Sequence, residues 1–279
     1  DRISMVSNGN QAIYDSGTGT VSSMNGGKQA IYSSGGMGTV ISMSDGSQTV
    51  ENGGVAQVGT MSVSGRQIVN DGGTGTVSSM NGGRQIIYGG TGTVSTMSGG
   101  QQQISSGGLG SALGTLGGTQ SILDGGTGWV EKVTSNQAIA SGGTGIVETV
   151  TGGDSWTLTA GQTGIANTMS GGTQTVDSNG KGTVVSMVEG GEQIILNGGT
   201  GTVSNMSGST SGGTQTVSSG GVRTVSDMSG GTQAVSSGGT AAGTLINGGT
   251  QIVSTGGIVS SAVLSAGQQQ VYDLSLIHI

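Results

Sequence analysis

Ionisable side chains are sparse in this 279-residue chain, so the few that recur at one spacing are the first places to look for chemistry. Glu131 and Glu148 stand one residue past Val130 and Val147 in what read as consecutive repeats. On neighbouring strands they would face outward about 4.8 Å apart, as a carboxylate pair for acid–base hydrolysis. Lys132 adjoins Glu131, and a solvated, partly compensated surface is the stronger reading. Arg66 and Arg84 share one slot in neighbouring repeats and take the same reading. The run GGTGTVSSM from Gly72 to Met80 has the glycines of the calcium-binding nonapeptide GGxGxDxUx. Val77 stands where its carboxylate must be, as do Val21, Val94 and Val203 in sister repeats. Calcium needs several oxygen ligands with carboxylates among them, so no metal site is expected. A phosphate loop is equally excluded, since no Gly-Lys-Ser/Thr follows and no helix N-terminus is available. The only histidine, His278, lies in a suspect tail and there is no cysteine. No catalytic residue, metal ligand or cofactor is assigned, and the chain is read as not an enzyme.

Contact chemistry is better represented. Tyr14, Tyr32, Tyr88 and Tyr272 each fall three residues after a recurrent glutamine, on the outward parity of a strand. Outward tyrosine on a Thr/Ser/Asn-rich sheet offers a sugar or protein contact, and packing between coils accounts for it about equally well.

The elements that carry these residues follow from one repeated unit. Gln11, Gln29, Gln48, Gln67, Gln85, Gln102, Gln120, Gln137, Gln174, Gln193, Gln215, Gln233, Gln251 and Gln269 mark the same slot, with Ser155 in the one unit that lacks glutamine. The intervals run from 17 to 22 residues and most are 18 or 19, the signature of a stacked-repeat solenoid. Two places after each anchor stands Ile or Val, with Thr157 as the exception. Each unit pairs a Gly-Thr-Val-x-x-Met run with a Gln-x-(Ile/Val) run, about five residues apiece and each closed by Gly-Gly, which are strand lengths. The expected architecture is all-β, a single parallel β-helix of about fifteen coils over residues 1–273. Methionines 24, 43, 61, 80, 97, 169, 187, 206 and 228 share a slot with Leu116, Val133, Val150, Ile246 and Leu264, and are read as an interior column. The anchor glutamines share the buried parity and are read as an amide ladder. Asn25, Asn52, Asn81, Asn197, Asn247, Asp71 and Asp124 precede Gly-Gly and are assigned to left-handed corners.

Composition bounds the rest. Sixty-three glycines, no Pro, Phe or Cys and 8% charged residues leave no material for a bulky core, so the ordered repeats must supply one column by column. A net charge of −7 disfavours nucleic acid and anionic membrane as partners, because both need clustered cations. Asp1 enters in mid-repeat and reads as a truncation. Residues 274–279, LSLIHI, match no repeat and read as a non-native tail, the translation of a sequencing adaptor.

The phrases GGTQTVSSGG (212–221), GGTQAVSSGG (230–239) and NGGTQIVS (247–254) resemble the passenger repeats of AIDA-type self-associating autotransporter adhesins. That resemblance implies a right-handed parallel β-helix on a Gram-negative cell surface, tethered through an outer-membrane barrel that this chain lacks. It implies adhesion, auto-aggregation, biofilm formation and virulence, with host or bacterial surface proteins, glycans and other passengers as partners. It also implies O-glycosylation of repeat serines, here Ser218, Ser219, Ser236 and Ser237, of which the first in each pair is expected to face solvent. Two alternatives stand beside it: a β-helical polysaccharide-active enzyme, and an ice-binding solenoid motivated by Thr-Gly-Thr at 18–20, 74–76, 91–93 and 200–202.

Overall fold

The computed structural model describes residues 2–32, 35–115, 117–132, 137–208, 212–218, 220–272 and 276–278. They are strands and turns, and every described strand pairing is parallel between successive coils. The chain divides into two compact units, Asp1–Gly145 and Ile146–Ile279, each a parallel β-solenoid.

In the first unit, strands Thr18–Ile31, Met37–Val50, Thr74–Ile87 and Thr91–Ile104 are 14 residues long. Two five-residue runs were expected, each ended by Gly-Gly. Instead the chain bends through Asn81-Gly82-Gly83 without leaving the ladder, and the register slips on either side of Asn81. Gly83 carries φ +73, and a Cβ there would sit 2.4 Å from the Gly65 carbonyl oxygen, so only glycine lets stacked coils bend this closely. The other corner is a true turn: at Asn70-Asp71-Gly72-Gly73 the Gly73 amide donates to the Asn70 carbonyl at 2.9 Å. Its left-handed residue is Gly72, φ +69. Of the seven Asn and Asp assigned to left-handed backbone, only Asn52 and Asn197 adopt it, and at the others glycine takes the strain.

In the second unit the two runs separate. Strands such as Lys181–Met187, Thr200–Met206 and Val222–Met228 form one ladder. Ser155–Leu158, Thr173–Val176, Glu192–Ile195, Thr214–Val217, Thr232–Val235, Thr250–Val253 and Gln268–Val271 form a seven-stranded sheet.

Both cores are stacked columns. Val21, Val77, Met80, Ile87 and their register mates are buried, including all nine methionines of the expected column. Burying each aliphatic side chain stabilises by about 1.5–3 kcal/mol, so the columns offset the backbone entropy of a glycine-rich chain. Leu264 and Val271 are the exposed exceptions, and Leu116 and Val133 lie outside the described residues. Register corrects the one irregular repeat: Trp156, not Ser155, pairs with Gln174, and Leu158, not Thr157, pairs with Val176. Leu158 is buried, so the aliphatic column continues through this repeat. Backbone residues Leu276–His278 of the tail pair in parallel with Ile258–Ser260.

The glutamine slot is buried and forms the expected ladder. Gln85 Nε2 donates to Gln67 Oε1 at 2.7 Å and to the Gly75 carbonyl at 3.1 Å, while its own Oε1 accepts from Gln102 Nε2 at 2.7 Å. Each rung thereby satisfies amide groups that would otherwise be costly to bury. In the first unit the run ends at Gln137, whose Oε1 lacks a partner. Gln174 Nε2 is likewise unpartnered, because Trp156 in the preceding rung offers no acceptor.

Candidate functional site

The tyrosines stand where parity predicts. Tyr14, Tyr32 and Tyr88 are 60%, 42% and 46% exposed. Tyr14 and Tyr32 stack with ring centroids 5.2 Å apart at 17°, so one coil holds the ring of the next flat and open to solvent. Tyr88 borders a notch of about 370 Å³ lined by Glu51, Asn52, Asn70, Asp71 and Ser106. The notch has a sequence cause: Tyr88-Gly89-Gly90 turns the corner with one residue fewer than Asn70-Asp71-Gly72-Gly73.

Serine placement differs from expectation. Ser218 and Ser236 are half-buried, and the backbone carbonyl of each accepts the closing bond of its turn, from Gly221 N at 3.0 Å and Gly239 N at 2.8 Å. Ser237, second in its pair, is the exposed residue, at the tip of the turn with Gly238 at φ +73. Ser219 lies outside the described residues. The same turn-tip position is held by exposed Ser106 and Ser141 in the first unit and by exposed Ser178 and Thr255 in the second.

The strands that carry the two candidate carboxylates, Thr127–Lys132 and Thr144–Thr151, are paired. Glu131 is exposed, and Glu148 Oε2 accepts from Asn167 Nδ2 at 2.7 Å. Among the described residues no three His, Cys, Asp or Glu lie close enough to hold a metal ion. The Thr-Gly-Thr motifs do not build a regular face either, since the row through Thr18 reads Met37, Val55, Thr74, Thr91, Leu109 in successive coils.

A groove of about 820 Å³ runs across five coils of the second unit. Its polar edge is one register row, Glu192, Thr214, Thr232, Thr250 and Gln268, and its other edge is bare glycine corners such as Gly230 and Gly249. In the first unit the same slot reads Asn10, Lys28, Ser47, Arg66, Arg84, Gln101 and Thr119.

Sequence reasoning passed over Arg223. It occupies the inward slot that Gly201 and Ala241 hold in the adjacent coils, and it is 1% exposed. Its Nη1 donates to Gln215 Oε1, while Nε and Nη2 have no partner. Burial holds its pKa well below the ordinary guanidinium value. By taking the Gln215 acceptor it interrupts the ladder, and Gln233 Nε2 donates instead to Thr244 Oγ1 at 3.3 Å. The signal was available: aligned on Thr-Gly-Thr-Val, Val222-Arg223-Thr224-Val225 puts a cation on the glycine.

No protein-family model matches the chain, and no curated protein is similar to it in sequence. Among solved structures, a TibA fragment that carries TibC-catalysed hyper-glycosylation aligns with 99% of this chain and 98% of its own, at a TM-score of 0.59 and 24% identity. The fold is that of the TibA fragment. At this identity the likeness to TibA is one of architecture, and it extends over both units.

Proposed function

We propose that the chain is a passenger segment of an AIDA-type autotransporter adhesin, a non-enzymatic stalk displayed on a Gram-negative cell surface. The observation that carries this reading is the whole-length fold match to the TibA fragment, and the GGTQ-x-V-SSGG phrases support it. Open tyrosine faces and a shallow groove suit many weak contacts repeated along coils, whose affinity comes from multivalency rather than one deep pocket. The partners are surface proteins, glycans and other passengers, and the outcome is adhesion, auto-aggregation or biofilm. Fusing the chain to an autotransporter barrel and displaying it on a non-aggregating host tests this. Displaying cells are expected to settle and to adhere more than cells carrying the barrel alone, and a Tyr14→Ser/Tyr32→Ser/Tyr88→Ser variant, displayed equally, to lose at least half of that gain. Settling and adhesion equal to the barrel control overturn the reading.

The turn-tip hydroxyls support O-glycosylation. Ser237 is the best-presented of the four serines singled out, and Ser218 and Ser236 are less accessible. Co-expression with a heptosyltransferase followed by intact mass and site mapping is expected to find sugar at Ser237 before Ser218 or Ser236. A mass equal to the bare chain removes the glycoprotein proposal.

A further inference from the structure

We propose that the row Lys28–Ser47–Arg66–Arg84 in the first unit is a binding strip for a linear sulfated or carboxylated polysaccharide. The chain carries seven Lys and Arg against fourteen Asp and Glu, so three cations in one register row is a concentration that the overall charge opposes. Parallel pairing sets the spacing: Arg66 and Arg84 are direct partners, about 5 Å apart along the axis, and Lys28 lies two coils, about 10 Å, from Arg66. Like charges side by side destabilise unless something answers them. All three are exposed, and among the described residues none makes an ion pair or side-chain hydrogen bond. One acid, Asp45, lines the hollow shared by Lys28 and Arg66; it accepts from the Gly46 amide at 2.7 Å and forms no ion pair with either, so the row keeps an excess of positive charge.

Shape supports the assignment independently of charge. Two hollows flank the row, one of about 260 Å³ holding Arg66 and Arg84 and one of about 270 Å³ holding Lys28 and Arg66, with Arg66 shared between them. They exist because the corner beside the row is built from Gly27, Gly46, Gly65 and Gly83, which have no side chains to fill it. Ser47 and Ser64 add hydroxyls, and Val63, 78% exposed at the rim, adds an apolar contact. Guanidinium forks bind sulfate and carboxylate bidentately. The hydroxyls between them suit sugar hydroxyls, and a register row with one slot per coil suits a polymer with one charge per sugar or two. Duplex DNA is disfavoured because three cations neutralise too few phosphates to outweigh a chain that is otherwise acidic. The proposal extends the adhesin reading by naming a class of partner, and a measurement on purified protein keeps the two separable.

The test is binding of the purified full chain to dextran sulfate, with plain dextran, duplex DNA and phosphatidylglycerol vesicles as comparisons. Arg66→Ser/Arg84→Gln is the informative variant, since Ser47 and Gln101 already occupy this slot and its melting should be unchanged. Dextran sulfate is expected to bind in a salt-dependent manner and plain dextran not at all. The double variant should weaken binding at least tenfold and lower the salt slope by roughly two. Lys181→Thr, at an exposed cation of the second unit whose register partners are Thr163 and Thr200, should leave binding unchanged. Equal binding of DNA or vesicles, an equal loss in the Lys181 variant, or no preference for the sulfated polymer overturns the assignment.

Discussion

Replacing Arg223 by alanine should make the protein more stable, which is unusual for truncation of a fully buried side chain. The wild-type residue brings a guanidinium into a column where its coil neighbours place Gly201 and Ala241. Only Nη1 finds a partner, so Nε and Nη2 remain buried donors at about 1–3 kcal/mol each, and the unpaired charge adds a desolvation cost of several kcal/mol. Against this, the three methylenes of the stem contribute about 0.8 kcal/mol each. Removing the guanidinium also frees Gln215 Oε1 to accept from Gln233 Nε2, a rung worth about 1 kcal/mol. The two donors and the regained rung, less the stem, favour the variant by about 1–5 kcal/mol, and the charge term adds to that. Arg223→Met, which keeps the stem, should gain more, and Arg223→Lys nothing. Urea denaturation of the full chain, with hydrogen-exchange mass spectrometry over residues 214–246, measures the gain and locates it. The pH dependence has a definite sign. A base whose folded pKa lies below its unfolded value destabilises fully below the folded pKa, and the penalty is relieved as pH rises from there towards the unfolded value. The gap between variant and wild type should therefore be widest at low pH and narrow as pH rises. Neutral or destabilising Arg223→Ala and Arg223→Met together would refute the account of an unanswered buried charge.

Three further outcomes test the columns and corners. Val77→Asp, at a fully buried position, should cost more than about 4 kcal/mol in urea denaturation, and Ser78→Asp on the outer face within about 0.5 kcal/mol; equal losses would mean the strand parity is wrong. Gln85→Ala orphans Gln67 Oε1 and removes one of three acceptors of Gln102 Nε2, which keeps the Gly92 and Ser111 carbonyls, and should cost about 1–3 kcal/mol, whereas Gln137→Ala, at a half-buried rung already missing one partner, should cost less. Gly83→Ala puts a Cβ 2.4 Å from a backbone oxygen and should lower the melting temperature well beyond Gly153→Ala, where φ is +88 but no atom lies within 4 Å.

How far the molecule is legible in its sequence depends on whether a feature repeats. A period of 18 or 19 with an aliphatic two places after glutamine admits one economical solution, parallel coils stacked in register, and it fixes which parity is buried. The Val, Met and Gln columns and the outward tyrosines therefore stood in the text of the chain. Features that occur once did not. Trp156 and Leu158 were assigned one place early, because Ser155 lies at the mean spacing and only pairing with Gln174 and Val176 fixes the register. That Asn81-Gly82-Gly83 bends a continuous strand while Asn70-Asp71-Gly72-Gly73 makes a turn was likewise hidden, since both end in the same dipeptide and the difference is that the Gly83 amide reaches Val63 of the neighbouring coil whereas the Gly73 amide closes on Asn70 of its own. Solvent exposure within Ser236-Ser237 followed turn geometry rather than strand alternation, because parity ends where the turn begins. The cationic row and Arg223 needed the third dimension most. Residues 18 or more apart become neighbours only when coils stack, and that stacking alone decides that Arg66 and Arg84 share an open hollow while Arg223 is enclosed without a counter-charge.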